Sequence, residues 1–100
     1  MILVRNIFQC KYGKAGELAR LMGEMRGQME QAGAGGMRVL TDLSGPFDTV
    51  VLETVIESID AYNRQLQEQF ADPAAAEVFG RMPALIESGR REYFTIEAEG

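Results

Sequence analysis

Residues 45–70, GPFDTVVLETVIESIDAYNRQLQEQF, constrain the fold more than any other stretch of the chain. From Phe47 to Ile56 the run is dense in Val, Thr, Leu and Ile, which suit a pleated and largely buried surface. The period then switches. Ile59, Tyr62, Leu66 and Phe70 recur at helical spacing. Ser58 stands at the change as an N-cap, with Asp60 inside the first turn to complement the helix dipole. A buried strand therefore feeds directly into a covering helix.

The remaining elements arrange themselves around that unit. Residues 1–11 read as a first strand, and a helix is expected from Ala15 to Ala32. In it Leu18, Met22, Met25, Met29 and Ala32 form one apolar stripe, with Glu17, Arg20, Glu24 and Glu30 on other sides. Gly23 and Gly27 each weaken this helix by about 1 kcal/mol relative to alanine, so packing must hold it. Gly33, Gly35 and Gly36 end it. A second strand is expected over Met37 to Leu43, and Ser44-Gly45-Pro46 turns it into the third. Asp72-Pro73 restarts a helix, where Ala75, Phe79, Met82 and Ile86 continue an apolar stripe that Pro83 should break or kink. Ser88-Gly89 then closes the helical region, and a fourth strand is expected from Arg91 to Ala98. The order β-α-β-β-α-β predicts a single α+β domain over residues 1–100, a ferredoxin-like sandwich with an antiparallel four-stranded sheet.

Composition narrows the partners. A net charge of −5 argues against nucleic-acid binding, which needs a basic face, and against a polybasic membrane anchor. No apolar run approaches the roughly 18 residues of a spanning helix. The start, MILVRNIFQC, carries Arg5 and Asn6 and reads as a strand rather than a signal peptide. The lone Cys10 cannot form an internal disulfide, which fits a cytoplasmic location. The absence of histidine is the most restrictive fact. It removes the usual proton shuttle at neutral pH and the commonest zinc and haem ligand. No cofactor or metal is expected, and the residues name no reaction.

Strand parity separates two faces. Ile2, Val4, Asn6 and Phe8; Met37, Val39, Thr41 and Leu43; Val50, Leu52, Thr54 and Ile56; and Phe94 and Ile96 carry no formal charge and are expected to face the helices. The opposite parity interleaves charges with Leu3, Ile7, Leu40, Val51, Val55 and Tyr93, more apolar surface than a solvated face usually shows. Both helices are committed to the other side, so a second copy of the sheet is the expected cover. The expected homodimer interface is Leu3, Arg5, Ile7, Leu40, Val51, Glu53, Val55 and Tyr93, with Arg5 and Glu53 paired between adjacent strands. A monomer with scattered surface hydrophobes is the alternative.

Three stretches carry a resemblance: the first strand leading into KYGKAGELARL, the hairpin into GPFDTVVLETVIESIDAY, and the closing SGRREYFTIE. With them the chain resembles the dimeric α/β-barrel superfamily over nearly its whole length, and within it the NIPSNAP-type proteins. The resemblance implies two ferredoxin-like protomers joined sheet to sheet, with a cavity between each sheet and its helices. It also spans antibiotic-biosynthesis-type monooxygenases, haem-degrading enzymes, chlorite-dismutase-like and muconolactone-isomerase-like proteins, and members without a known activity. Members that bind haem through histidine cannot be the model. The cofactor-free monooxygenases often depend on Trp, His or Asn in the cavity; this chain has no Trp and no His and offers only Asn6 there, so no catalytic motif transfers residue by residue.

The candidate cavity residues are Asn6, Thr41, Thr54, Tyr62 and Met22. The three short polar side chains would orient a ligand carbonyl or hydroxyl, or else be satisfied locally. Tyr62 offers a phenol or packs in the core with its hydroxyl bonded. Met22, Met25, Met29 and Met82 form a deformable wall or plain core. Arg90 and Arg91, with Lys11 and Lys14, would attract an acidic metabolite or form a solvated rim. Cys10 beside Lys11 has a lowered pKa or is an inert small hydrophobe. The residues point to a homodimer binding a small apolar or aromatic metabolite. The resemblance alone implies the alternative, a cofactor-independent monooxygenase or isomerase acting on an aromatic or polyketide-like substrate. The acidic balance keeps an interaction module open.

Overall fold

Strands β1 (Ile2–Cys10) and β3 (Thr49–Ile56) form the centre of a four-stranded antiparallel sheet. The edges are β2 (Met37–Thr41), beside β3, and β4 (Ile86–Thr95), beside β1. The computed structural model describes residues 1–31 and 36–99. Helices α1 (Ala15–Gln31), α2 (Ile59–Ala71) and α3 (Pro73–Arg81) pack on one face, giving the α+β ferredoxin-like fold. Among the described residues no helix is long and apolar enough to cross a membrane. The Met29 side chain, Ala32, Gly33 and Gly35 lie outside what is described.

Local chemistry sets the helix ends. Ser58 is extended, at φ −151° and ψ 158°, and its hydroxyl accepts from the Ala61 N–H at 3.1 Å, opening α2. Asp72 serves two helices. Its N–H donates to the Gln69 carbonyl to close α2, and its Oδ1 accepts from Ala74 N at 3.2 Å to open α3 ahead of Pro73. Pro83 falls in a short 3-10 turn, Met82–Ala84, and α3 stops at Arg81 before it. Helix α1 borrows its cap from the β2–β3 connection. Asp48 sits in the left-handed region at φ 60°, one that aspartate tolerates better than most residues. Its Oδ2 accepts from Gly13 N at 2.9 Å and its Oδ1 from Ala15 N at 3.2 Å. Such a cap contributes about 1 kcal/mol.

The core divides into two clusters. Leu18, Leu21, Met22 and Met25 of α1 pack on Met37, Val50 and Leu52 of the sheet, and Val78 and Leu85 join them. A smaller cluster, Val4, Ile56 and Tyr62, lies under α2 with Ile2 and Leu66 against it. Each fully buried side chain of this size contributes roughly 1.5–3 kcal/mol.

Several boundaries and one face differ from the sequence expectation. Strand β2 ends at Thr41 and β3 begins at Thr49, so Leu43 and Phe47 are exposed in the connection rather than in strands. Strand β4 begins at Ile86, and Ser88 and Gly89 pair with Gln9 and Phe8 inside the ladder. A Cβ at position 89 would come within 3.1 Å of the Phe8 ring, tighter than ordinary packing, so glycine fits there without displacing that ring. The parity of β4 is the reverse of that expected. Tyr93 pairs with Val4 and Arg91 with Asn6, so both lie on the helix side, while Phe94 pairs with Leu3 on the open side. As an edge strand β4 is exposed along most of its length, so its hydrophobicity does not report its face.

Candidate functional site

The helix face of the sheet does not fill completely. A cavity of about 210 Å³ borders both apolar clusters, touching Met22, Met25, Met37 and Leu52 on one side and Tyr62 and Leu66 on the other. Phe8, Phe70, Phe79 and Met82 complete the apolar wall. The Phe70 and Phe79 rings stack 4.5 Å apart, tying α2 to α3 beside the cavity.

Three polar side chains from three elements meet at this wall. Asn6, on the central strand β1, is 6% exposed. Left unpaired, a buried amide costs roughly 1–3 kcal/mol. Here both ends are bonded. Arg91 Nε, from β4, donates to Asn6 Oδ1 at 2.6 Å, and Asn6 Nδ2 donates to the Tyr62 hydroxyl of α2 at 3.3 Å. The Arg91 guanidinium also lies over the Tyr62 ring, 5.6 Å from its centre. Among the described residues Arg91 forms no ion pair. Thr54, Gln65 and Gln69 add hydrogen-bonding capacity to the lining.

Four of the five side chains expected at a cavity, Asn6, Thr54, Tyr62 and Met22, are brought together around it. Thr41 is not. It is exposed at the end of β2, two ladder positions beyond the Val39–Leu52 pair. Arg91 was expected at the rim on the opposite sheet face, and its place beside Asn6 follows from the β4 register. Gln65 and Gln69 also line the cavity, and being polar they stand outside the apolar stripe of α2. Their spacing of three and seven residues from Tyr62 was the available signal.

Cys10 is buried, and the expected lowering of its pKa does not occur. Burial first, then Asp48 and Asp42, pushes the thiol up from its ordinary value, which makes it a poor nucleophile at neutral pH. No group of three or more His, Cys, Asp or Glu side chains suited to a metal ion occurs among the described residues.

The open face carries Leu3, Arg5, Ile7, Leu40, Val51, Glu53 and Val55, in rows fixed by the ladder. Arg38, Glu53, Arg5 and Glu92 lie side by side across the four strands. Glu53 is 7% exposed and held between Arg38, which donates to its Oε1, and Arg5, whose Nε lies 3.1 Å from Oε2. That approach is an ion pair without hydrogen-bond alignment, since Arg5 Nε has no hydrogen-bond partner. Leu40, Val51 and Ile7 flank the charged row on one side, and Val55, Leu3 and Phe94 on the other. Tyr93, expected here, is on the helix side.

No family model and no curated protein matches the sequence. Solved structures do. An uncharacterised NIPSNAP domain protein from Burkholderia xenovorans is 18% identical with a TM-score of 0.78, the match covering 95% of this chain and 93% of that one. A NIPSNAP family protein from Agrobacterium tumefaciens is 23% identical with a TM-score of 0.78, over 93% and 82% of the two chains. A candidate antibiotic biosynthesis monooxygenase from Deinococcus radiodurans is 15% identical with a TM-score of 0.70, over 100% and 95%. The chain therefore has the ferredoxin-like fold that NIPSNAP proteins and monooxygenase-like proteins of this type share.

Proposed function

We propose that this protein is a cytoplasmic homodimer that binds a small apolar or aromatic metabolite between its sheet and helices. The observation that carries the reading is the cavity itself, apolar on most sides and touched by Asn6, Tyr62 and Arg91. Ligand sites usually run from about 300 to 1,000 Å³, so a space of 210 Å³ suits a body of one or two rings. Binding is favoured over catalysis by what the lining lacks. Among the described residues it includes no carboxylate and no thiol, and its only ionisable side chains are Tyr62 and Arg91. A cofactor-independent monooxygenase or isomerase would need a base placed on its substrate, and general bases are mostly His, Asp, Glu or Lys.

The pairing of two copies is supported by the open face. Its apolar rows lie on both sides of a row of alternating charge, a pattern that a two-fold axis can set against itself. Sedimentation velocity at micromolar concentration should show a species of twice the 11.1 kDa chain mass. The cavity is tested with naphthalenemethanol, a neutral two-ring probe. It should raise the melting temperature of the wild type and not that of Leu66→Trp, whose indole fills the space while circular dichroism shows the fold retained. No rise in the wild type would overturn the reading.

A further inference from the structure

The polar groups at the cavity share a direction. Arginine has five N–H donors and no acceptor, so the Asn6 atom facing Arg91 Nε must be the amide oxygen. That choice turns Nδ2 toward Tyr62, where it donates to the hydroxyl. The Tyr62 oxygen is thereby an acceptor, and its own hydrogen remains to be given away. One of the five Arg91 N–H groups is spent on Asn6. The remaining donors of Arg91, the second hydrogen of the Asn6 amide and the Tyr62 O–H all lack recorded acceptors among the described residues. No carboxylate lines the cavity, and the neighbouring Glu92 is on the other sheet face, beside Arg90 with Oε2 3.4 Å from its Nε.

Resting on the ligand-site reading above, we infer that the ligand carries an anionic oxygen, a carboxylate or an enolate, on its small apolar body. Arg91 binds that oxygen, with Tyr62 and Asn6 donating beside it. Thr54, Gln65 and Gln69 have both donors and acceptors and accommodate either sign. The unpaired cation therefore decides the preference. Charge-assisted hydrogen bonds are roughly twice as strong as neutral ones. Arg91 is exposed, so solvent screens part of this gain, and the expected discrimination is about tenfold.

The test is isothermal titration with three probes of one shape: naphthoate, naphthalenemethanol and naphthylmethylammonium. Naphthoate should bind about tenfold more tightly than the alcohol, and the ammonium most weakly. In Arg91→Met the preference for naphthoate over the alcohol should vanish, whatever the change in the affinity for the alcohol itself. Arg90→Met, which removes the neighbouring cation from the opposite sheet face, should keep the full preference. Equal binding of the three probes, or loss of the preference in Arg90→Met as large as in Arg91→Met, overturns the anion assignment while leaving a ligand cavity. Failure of all three to bind overturns the cavity reading as well.

Discussion

The two faces of the sheet use the same side-chain types to opposite ends. On the open face, Arg38, Glu53, Arg5 and Glu92 alternate in one row, so each cation has an anion beside it and the charge is settled within the chain. On the helix face, Arg91 stands beside an amide and a phenol, and its charge has no counterpart among the described residues. Burial differs in the same sense. The helix-face residues Val4, Asn6, Val50, Leu52 and Thr54 are closed off within a single chain, whereas Leu3, Ile7, Leu40, Val51 and Val55 are only half-buried in it. One face is finished by the chain's own helices except for a small cavity. The other stays half-open within one chain and is the face that the proposed second copy would cover.

The contrast is broken most forcefully by truncating one leucine on each face. Leu52→Ala, in the buried cluster, should cost about 3 kcal/mol in urea unfolding, at any protein concentration. Leu3→Ala should cost less at high dilution and progressively more as concentration rises, because pairing adds stability by mass action. Concentration-independent unfolding of both wild type and Leu3→Ala would place the open face in solvent.

Glu53→Gln sharpens the comparison at intermediate cost. It leaves Arg5 and Arg38 facing each other without the carboxylate between them. Breaking a fully buried pair costs about 3–5 kcal/mol. The Arg38 side chain is 70% exposed, and solvent screening reduces the expected loss to about 1–3 kcal/mol. Gln should weaken self-association along with the fold, whereas Arg91→Met should leave self-association unchanged.

The smallest effect is that of Cys10, in the helix-face cluster. Its folded pKa is raised, so its contribution is full below the ordinary value of 9.0 and is lost as pH rises through the folded value. Chemical unfolding followed from neutral to alkaline pH should show that loss in the wild type and not in Cys10→Ala. Equal slopes for the two would remove Cys10 from the buried cluster.

The fold was readable where period and capping agreed. The switch from β3 to α2 at Ser58, the shared cap at Asp72 and the stop before Pro83 each rest on a local rule that the tertiary structure has no reason to override. The parity of the two central strands, β1 and β3, was equally legible, because their helix-facing side is the more buried one, and β2 follows β3 through its register. The parity of β4 was not. Phe94 and Ile96 suggested a buried side, yet an edge strand with both sides largely wet gives hydrophobicity nothing to report. That single reversal hid Arg91, the residue that gives the cavity its charge. Gly89 was misread for a related reason: punctuation and close packing call for the same residue. The cap on α1 was beyond local reading altogether, since Asp48 lies 33 residues from Ala15 in sequence.

The central claim, that the space between sheet and helices takes a ligand, is tested most directly by methionine-methyl NMR. Of the six methionines, Met22, Met25, Met37 and Met82 line the cavity, and Met1 is 63% exposed at the start of the chain. Titration with naphthalenemethanol should shift the four cavity methyls together along one saturable curve and leave Met1 in place. Four unmoved cavity methyls, or a shift confined to Met1, would contradict the account.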